Sequence, residues 1–487
     1  MKLCLINHNF KYELEKLIRI FLPFEKIEFY ETFEADGDYA ITEIIDNTFA
    51  VAKLCLKGKY YEEKQTINIL ADDIKKECEL RLALSLYNCF VSATGYISDW
   101  GLLTGVRPAK LYSRLVQNNG EIETNEYFKN ILKVNDKKIS LCKQSVIGEE
   151  KAISLSDKNS YSLYISIPFC PTRCSYCSFV SHSVESAKKL IPQYIEKLCE
   201  EITITAKIAR ENNLKLETVY IGGGTPTSIS HSELEKIMLA VADNFDLQTI
   251  REYTVEAGRP DTVSEDKLNV IKKLGATRIS INPQTMNDSV LEVIGRKHTA
   301  QQTVEAFNLA RKVGINNINM DLIAGLPTDT FESFKDTIGR VLSLNPESVT
   351  VHTLSMKKSS FLTANGDLPE TKAGEIASQM VDYAREKLSD NGIVPYYMYR
   401  QSKTVGNLEN VGYAKMSYEC LYNIYIMDET HTILACGASA VTKLREPRGN
   451  YIERIFNYKY PYEYIDRFDE MILRKERINA FYSEYGK

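Results

Sequence analysis

Residues 164–179 read YISIPFCPTRCSYCSF and join a short β-rich run to a loop that carries cysteines. The run YISI reads as a strand, and Pro168 and Pro171 keep regular structure from continuing beyond it. Cys170, Cys174 and Cys177 therefore sit in a loop directly after a strand, spaced C-x3-C-x2-C.

Outward from this stretch, the chain between Ser160 and Leu354 alternates β-rich runs with helical ones. SLYISIP, ETVYI, EYTVEA, TRISIN, NINMDLI and SVTVHTL precede helical patterns near 187–209, 231–243, 264–273, 299–312, 330–342 and 373–390. Consecutive strand–helix units imply a parallel sheet with crossover helices, hence an α/β fold. The six units fall short of the eight that close a full barrel, so a partial (β/α)6 barrel is expected. Its strands read as apolar almost throughout, as for strands covered on both faces. In such sheets function gathers at the carboxyl edge, where every motif found here lies.

The flanks read differently. Residues 1–157 form an expected N-terminal α+β module, with an amphipathic stretch at 11–21, β-rich runs near 26–31, 39–44 and 49–57, and a helix near 72–92. The polar stretch Gly148 to Lys158 serves as its linker to a barrel over 158–394. A tyrosine-rich C-terminal extension over 395–487, ending in a charged helix near 460–478, is expected to cover the substrate. Within the N-terminal module, LLTGVRPAKLYSRL combines a turn at Gly105 and Pro108 with Arg107, Lys110 and Arg114, a pattern that a helix start with a solvated basic face also produces.

Composition bounds the function classes. Of 487 residues, 44% are apolar and 26% charged, as in globular proteins. The start MKLCLINHNFKYELEK has only a four-residue apolar run, too short for a signal core or a membrane span, so a cytoplasmic location is expected. Net charge is −5 and no block of five or more basic residues occurs, which disfavours nucleic acid as a partner; no membrane partner is expected either. The chain is expected to act as a monomer. Of eleven cysteines, eight are scattered and read as small buried hydrophobes.

The clustered three carry the chemistry. Three thiolates on one loop hold three irons of a cubane cluster and leave the fourth iron open. That vacancy admits the amino and carboxylate groups of S-adenosylmethionine, with the sulfonium beside the cluster. Structural zinc is the alternative, but it asks for a fourth ligand and no second knuckle is apparent. Tyr176, between the last two cysteines, can place a ring over cluster or adenine. The next motif, Gly222-Gly223-Gly224-Thr225-Pro226-Thr227, ends the second strand as the cysteines end the first. Its glycines allow close backbone approach to a ligand, though a tight turn needs the same residues. Glu256, Gln284 and Asp321 follow later strands and offer acceptors for ribose hydroxyls and an amino group, while Arg296 can pair with a carboxylate. Each of these residues has an ordinary structural reading when taken singly.

YISIPFCPTRCSYCSF, YIGGGTPT, VEAGRPD, RISINPQTM, IGRKHT and MDLIAGLPTDT together resemble radical S-adenosylmethionine proteins of the oxygen-independent coproporphyrinogen III oxidase family. VGNLENVGYAK and ILACGASAVTKL resemble that family's C-terminal region, and WGLLTGVRPAKL resembles its HemZ branch. The resemblance implies a 4Fe–4S cluster on Cys170, Cys174 and Cys177, with Tyr164 near substrate or cofactor. It places Gly223, Gly224 and Thr225 on the methionine part of S-adenosylmethionine, Glu256 and Gln284 on the ribose, Arg296 on the carboxylate, and Asp321 and Ile323 along the adenosyl pocket. Ser166 stands where well-studied oxidases have histidine. The implied reaction is radical oxidative decarboxylation of coproporphyrinogen propionates to vinyls, fed by an electron donor such as flavodoxin or ferredoxin. Arg173, Arg259, Arg400 and Lys415 are candidate contacts to a porphyrinogen's carboxylates. The rivals are a haem-binding chaperone of the same family, whose usual HNxxYW signature is replaced here by Tyr422-Asn423-Ile424-Tyr425, a radical enzyme acting on another tetrapyrrole, and a structural protein with a vestigial cluster.

Overall fold

The computed structural model describes residues 1–30, 37–179, 181–355, 371–401 and 403–486, with only the backbone described at 371 and 372. The chain forms two compact units, Met1–Lys143 with Arg400–Leu408, and Gln144–Tyr399 with Glu409–Lys487. Among the described residues no helix is long and apolar enough to cross a membrane.

The first unit is built on β1 (Lys2–Ile6), β2 (Glu28–Tyr30), β3 (Tyr39–Ile45), β4 (Phe49–Leu56) and β5 (Lys59–Thr66), in the order β2-β1-β3-β4-β5. β1 runs parallel to β2 and β3, and β3 to β5 form an antiparallel meander. Leu14, Leu17 and Ile18 of the helix Lys11–Phe21, and Leu82, Leu86 and Phe90 of the helix Ile74–Thr94, share one apolar core with Ala40, Ile44, Ala52 and Leu54 of the sheet. The α+β character expected of this region is present.

The second unit holds the alternation read from sequence. Its strands are β6 (Ser160–Ile167), the short pair β7 (Phe169–Cys170) and β8 (His182–Ser183), β9 (Lys215–Gly223), β10 (Glu252–Glu256), β11 (Arg278–Ser280), β12 (Ile318–Ala324), β13 (Ser348–Thr353), β14 (Val394–Arg400), β15 (Glu409–Ala414), β16 (Thr432–Cys436), β17 (Val441–Arg445) and β18 (Ile452–Phe456). The parallel run β6-β9-β10-β11-β12-β13 is the expected six-stranded partial barrel. Its crossover helices start where local chemistry tells them to. Ser230 with Glu233, and Thr299 with Gln302, form capping boxes that open His231–Asn244 and Ala300–Val313, each cap being worth about 1 kcal/mol.

The C-terminal region extends this sheet at both edges. β16 lies parallel to β6 and is followed by β17 and β18 in antiparallel order, while β15 pairs antiparallel with β13 and neighbours β14. A partial barrel leaves two strand edges open, and these additions pair them. The stretch expected as a linker, Gly148 to Lys158, is helical up to Ser154. Its helix formers outweigh their polarity, and Gly148 lies so close to the chain that an added Cβ would meet Tyr396 Cα at 2.5 Å.

The barrel strands are not apolar on both faces. Leu163, Ile165, Val219, Ile221, Val255, Ile279, Met320 and Leu322 are fully buried. The residues between them are polar or aromatic: Ser162, Tyr164 and Ser166 on β6, Thr218 and Tyr220 on β9, Glu252, Thr254 and Glu256 on β10, Asn319 and Asp321 on β12, and Thr350 and His352 on β13. They bond to one another across the sheet, Thr218 Oγ1 donating to Ser162 Oγ at 2.7 Å, Asn319 Nδ2 to Ser280 Oγ at 3.2 Å and Thr350 Oγ1 to Asn319 Oδ1 at 3.2 Å. Period-2 alternation sends one set to a polar interior.

Candidate active site

The cysteine loop leaves β6 through Pro168. Cys174 is buried and Cys170 and Cys177 half-buried, and all three are free thiols. Burial pushes the Cys170 and Cys177 thiols above their ordinary pKa, so iron binding at these two would release their protons. The loop is seated from two sides. Ser175 N donates to Ile294 O at 3.1 Å and Thr172 Oγ1 to Gly295 O at 3.4 Å. On the other side Gly224 N and Thr225 N donate to Ile167 O and Phe169 O, both at 2.8 Å, and Thr225 Oγ1 donates to Cys170 Sγ at 3.4 Å.

The glycine motif earns its residues here. Gly223 has φ +107°, and a Cβ on Gly224 would lie 2.6 Å from Phe169 O and 3.0 Å from Cys170 Sγ. This backbone lies flush against the first cysteine, a cradle that any side chain would fill. Among the described residues no three His, Cys, Asp or Glu side chains converge on a single metal ion, and a cubane does not ask for that, since each thiolate takes its own iron. The donor set and the cradle fit a three-thiolate cluster.

The neighbouring strand ends supply the remaining predicted residues. Gln284 is buried with φ 67°, and its backbone bridges to β12 through Gln284 N to Asp321 O and Ile323 N to Gln284 O, both 2.9 Å. This brings Gln284, Asp321 and Ile323 together. Arg296 is buried, its Nη1 donating to Gly258 O at 3.2 Å and Asn282 O at 2.9 Å and its Nη2 to the Tyr176 hydroxyl at 3.1 Å. It ties the cysteine loop to the loops after β10 and β11, while its Nε is buried without a partner.

Glu256 accepts a short hydrogen bond from Tyr220. Burial pushes its carboxyl up to about 7, the Tyr220 bond pulling it down and the Asp321 charge raising it. Burial acts on Asp321 too, but His352, Asn319 and Thr350 outweigh it and hold that carboxyl below its usual value. The two carboxyls are thus pushed apart, Asp321 ionising well before Glu256, which is about half protonated near neutral pH. Because Glu256 binds its proton more tightly folded than unfolded, its contribution turns unfavourable as pH rises from about 4.5 to about 7. Glu256→Gln is therefore expected to flatten the fall in apo-protein stability over that window, by less than about 3 kcal/mol. Urea midpoints at pH 5 and pH 8 measure it, and an unchanged slope would show that the carboxyl titrates normally.

An aromatic stack escaped the sequence reading. Tyr164 lies over Tyr220 and Tyr422 with ring centroids 6.2 and 6.0 Å away, and Tyr220 stacks on Tyr422 at 4.4 Å. Tyr422 belongs to the helix Leu421–Asp428, whose first amides are capped by buried Glu252, which accepts from Leu421 N at 2.8 Å and Tyr422 N at 3.3 Å. The signal for Tyr220 was its register, because it pairs with Tyr164 across β6 and β9.

The basic candidates fare unevenly. Arg173 is exposed in the cysteine loop. Arg259 is buried and turned to Asp261 and Cys174. Lys415 bonds Asn345 Oδ1 at 2.7 Å. Arg400 belongs to the first unit, where it bonds the carbonyls of Leu103 and Asn407 and lies over Trp100 at 5.1 Å. The last three are spent on structure, so carboxylate contacts to substrate are not read from them.

Residues 164–341 match the family described as the radical SAM superfamily. The oxygen-independent coproporphyrinogen-III oxidase-like protein HemZ of Bacillus subtilis is 36% identical over 479 residues, covering 96% of this chain and 95% of that protein. The heme chaperone HemW of the same organism is 32% identical over 314 residues, covering 62% of this chain and 77% of that one. The solved structure of coproporphyrinogen III oxidase, HemN, from Escherichia coli shares the fold, with a TM-score of 0.50 and 22% identity over 67% of this chain and 73% of that one. The chain thus belongs to the radical SAM superfamily, within the family of oxygen-independent coproporphyrinogen-III oxidase-like proteins that includes HemZ, and its cofactors are a 4Fe–4S cluster and S-adenosylmethionine.

Proposed function

We propose that this protein is an anaerobic radical S-adenosylmethionine oxidoreductase that decarboxylates coproporphyrinogen III propionates to vinyls, giving protoporphyrinogen IX. The observation that carries the reading is the end-to-end likeness to the HemZ protein, which extends beyond the barrel through both flanking regions. Bound together, cluster and S-adenosylmethionine supply a strong hydrogen-abstracting radical. The chain's own residues do the rest. Cys170, Cys174 and Cys177 hold the cluster, and Gly223, Gly224 and Thr225 lay backbone along the methionine part. Glu256 and Gln284 face the ribose, Glu256 able when protonated to donate to a hydroxyl as well as accept. Arg296 acts on the carboxylate through its charge and its unpartnered Nε, while Asp321 and Ile323 line the adenosyl pocket. Tyr164, stacked with Tyr220 and Tyr422, forms an aromatic floor suited to a tetrapyrrole edge.

The likeness to HemW supports a second reading, a haem-binding chaperone that keeps the cluster. One anaerobic assay separates them. Reconstituted protein, reductant and S-adenosylmethionine are incubated with and without coproporphyrinogen III. Deoxyadenosine together with protoporphyrinogen is the expected result. Deoxyadenosine with no decarboxylated porphyrin points to another tetrapyrrole, and tight haem binding without turnover to the chaperone.

A further inference from the structure

We propose that Arg259, oriented by Asp261, sets the reduction potential of the cluster through a hydrogen bond to the Cys174 sulfur. The inference rests on the reading that Cys170, Cys174 and Cys177 hold that cluster. Arg259 follows β10 and is only 3% exposed. Its Nε and Nη2 meet Oδ1 and Oδ2 of Asp261, each at 3.0 Å, in a two-pronged ion pair. This fixes the plane of the guanidinium and turns Nη1 to Thr172 Oγ1 at 3.2 Å and Cys174 Sγ at 3.7 Å. The backbone is pinned as well, since Thr262 Oγ1 donates to Arg259 O at 2.8 Å. A buried arginine so committed is poorly placed to bind a substrate carboxylate. Its uncommon feature is the N–H aimed at a cluster ligand.

The expected effect follows from charge. Reduction adds one electron, and much of that density resides on sulfur, so a donor on a ligating sulfur stabilises the reduced form and raises the potential. Asp261 does two things at once, aiming the donor and partly cancelling its charge; in Asp261→Asn the amide oxygen still accepts from the guanidinium and keeps its aim, so the cancelling charge is what is lost. Arg259 is thus a positioning and tuning residue acting through Cys174. The two partners should therefore move the potential in opposite directions, which a purely structural role would not do.

The test uses full-length reconstituted protein, titrated with dithionite under argon and followed by electron paramagnetic resonance, with iron content and visible absorbance confirming equal loading. Arg259→Met is expected to displace the one-electron equilibrium about tenfold toward the oxidised cluster, about 59 mV. Asp261→Asn should displace it toward the reduced cluster, and Arg259→Lys, which keeps the charge, should fall between Arg259→Met and the wild type. If Arg259→Met does not load, the sign of the Asp261→Asn shift decides. Loaded proteins sharing one potential, or shifts of the same sign in Arg259→Met and Asp261→Asn, overturn the proposal alone. A wild-type chain that takes up no four-iron cluster overturns the cysteine assignment, and this proposal with it.

Discussion

Replacing any one of Cys170, Cys174 or Cys177 by Ala is expected to abolish the broad charge-transfer absorbance of the reconstituted protein, whereas Cys199→Ala should leave it intact. The contrast is geometric. The three thiols share one loop, pinned to the Gly224 backbone on one side and to the Ile294–Gly295 turn on the other. Cys199 lies on the helix Ile191–Glu211, its thiol 3.8 Å from Lys236 O. With three protein ligands there is no spare thiolate to replace a lost one, so near-complete loss is expected rather than a graded weakening. Iron content and visible spectra after anaerobic reconstitution provide the check. Equal effects at Cys199 and at the loop positions would undo the ligand assignment.

A comparable loss, this time of stability, is expected when the buried ion pair between Glu201 and Lys475 is broken. Glu201 is 0% and Lys475 1% exposed, with Nζ to Oε1 at 2.9 Å. The carboxylate also accepts from Gly437 N at 2.6 Å, the Tyr464 hydroxyl at 2.6 Å and Asn457 Nδ2 at 2.8 Å, while Lys475 Nζ donates to Ala435 O at 2.8 Å. Glu201→Leu strands an ammonium and several donors in a dry interior. The expected cost is about 3–5 kcal/mol. Glu201→Leu combined with Lys475→Met should cost clearly less than the sum of the single changes, because an apolar pair needs no solvation. Urea denaturation measures both. The consequence reaches the cysteine loop, since the Tyr194 hydroxyl accepts from Ala438 N at 2.9 Å and donates to Ser166 O at 2.8 Å, four residues before Cys170. Simple additivity of the two changes would mean that the pair is not coupled.

Much of the barrel was legible because its signals are local. The strands ran into turns and then helices, four of them opened by a Ser or Thr cap, and the loop cysteines and glycines announced themselves by spacing. What the sequence obscured was the direction of side chains. Runs such as VYI and MDLI looked apolar throughout because Tyr220 counts as apolar and Asp321 stands alone among hydrophobes. Only register, with Tyr164 opposite Tyr220 and Asp321 opposite Thr350, exposes the polar interior. Likewise, Arg259 and Arg296 were visible as cations, but their partners are set by loops that meet in space: Thr172 with Arg259, Tyr176 with Arg296. Polarity suggested a linker at Gly148 to Lys158, although helix propensity and a close approach to Tyr396 decide that segment. Nor did pattern alone assign ILACGASAVTKL to the edge of β6, since a strand's neighbour across hundreds of residues is a tertiary fact.

That last strand has a consequence for how the protein is made. β16 pairs with β6, and Ser162 bonds His431 across 269 residues of chain. At about 5–20 residues per second, a ribosome needs roughly 15–50 s to supply β16 after β6 has emerged. Throughout that interval one edge of β6 has no native neighbour, the condition under which nascent strands find wrong ones. Since β6 leads straight into the cysteine loop, iron loading before β16 has been supplied would act on an unfinished scaffold. Nascent chains arrested on either side of β16 should therefore differ sharply in protease resistance around residues 160–180.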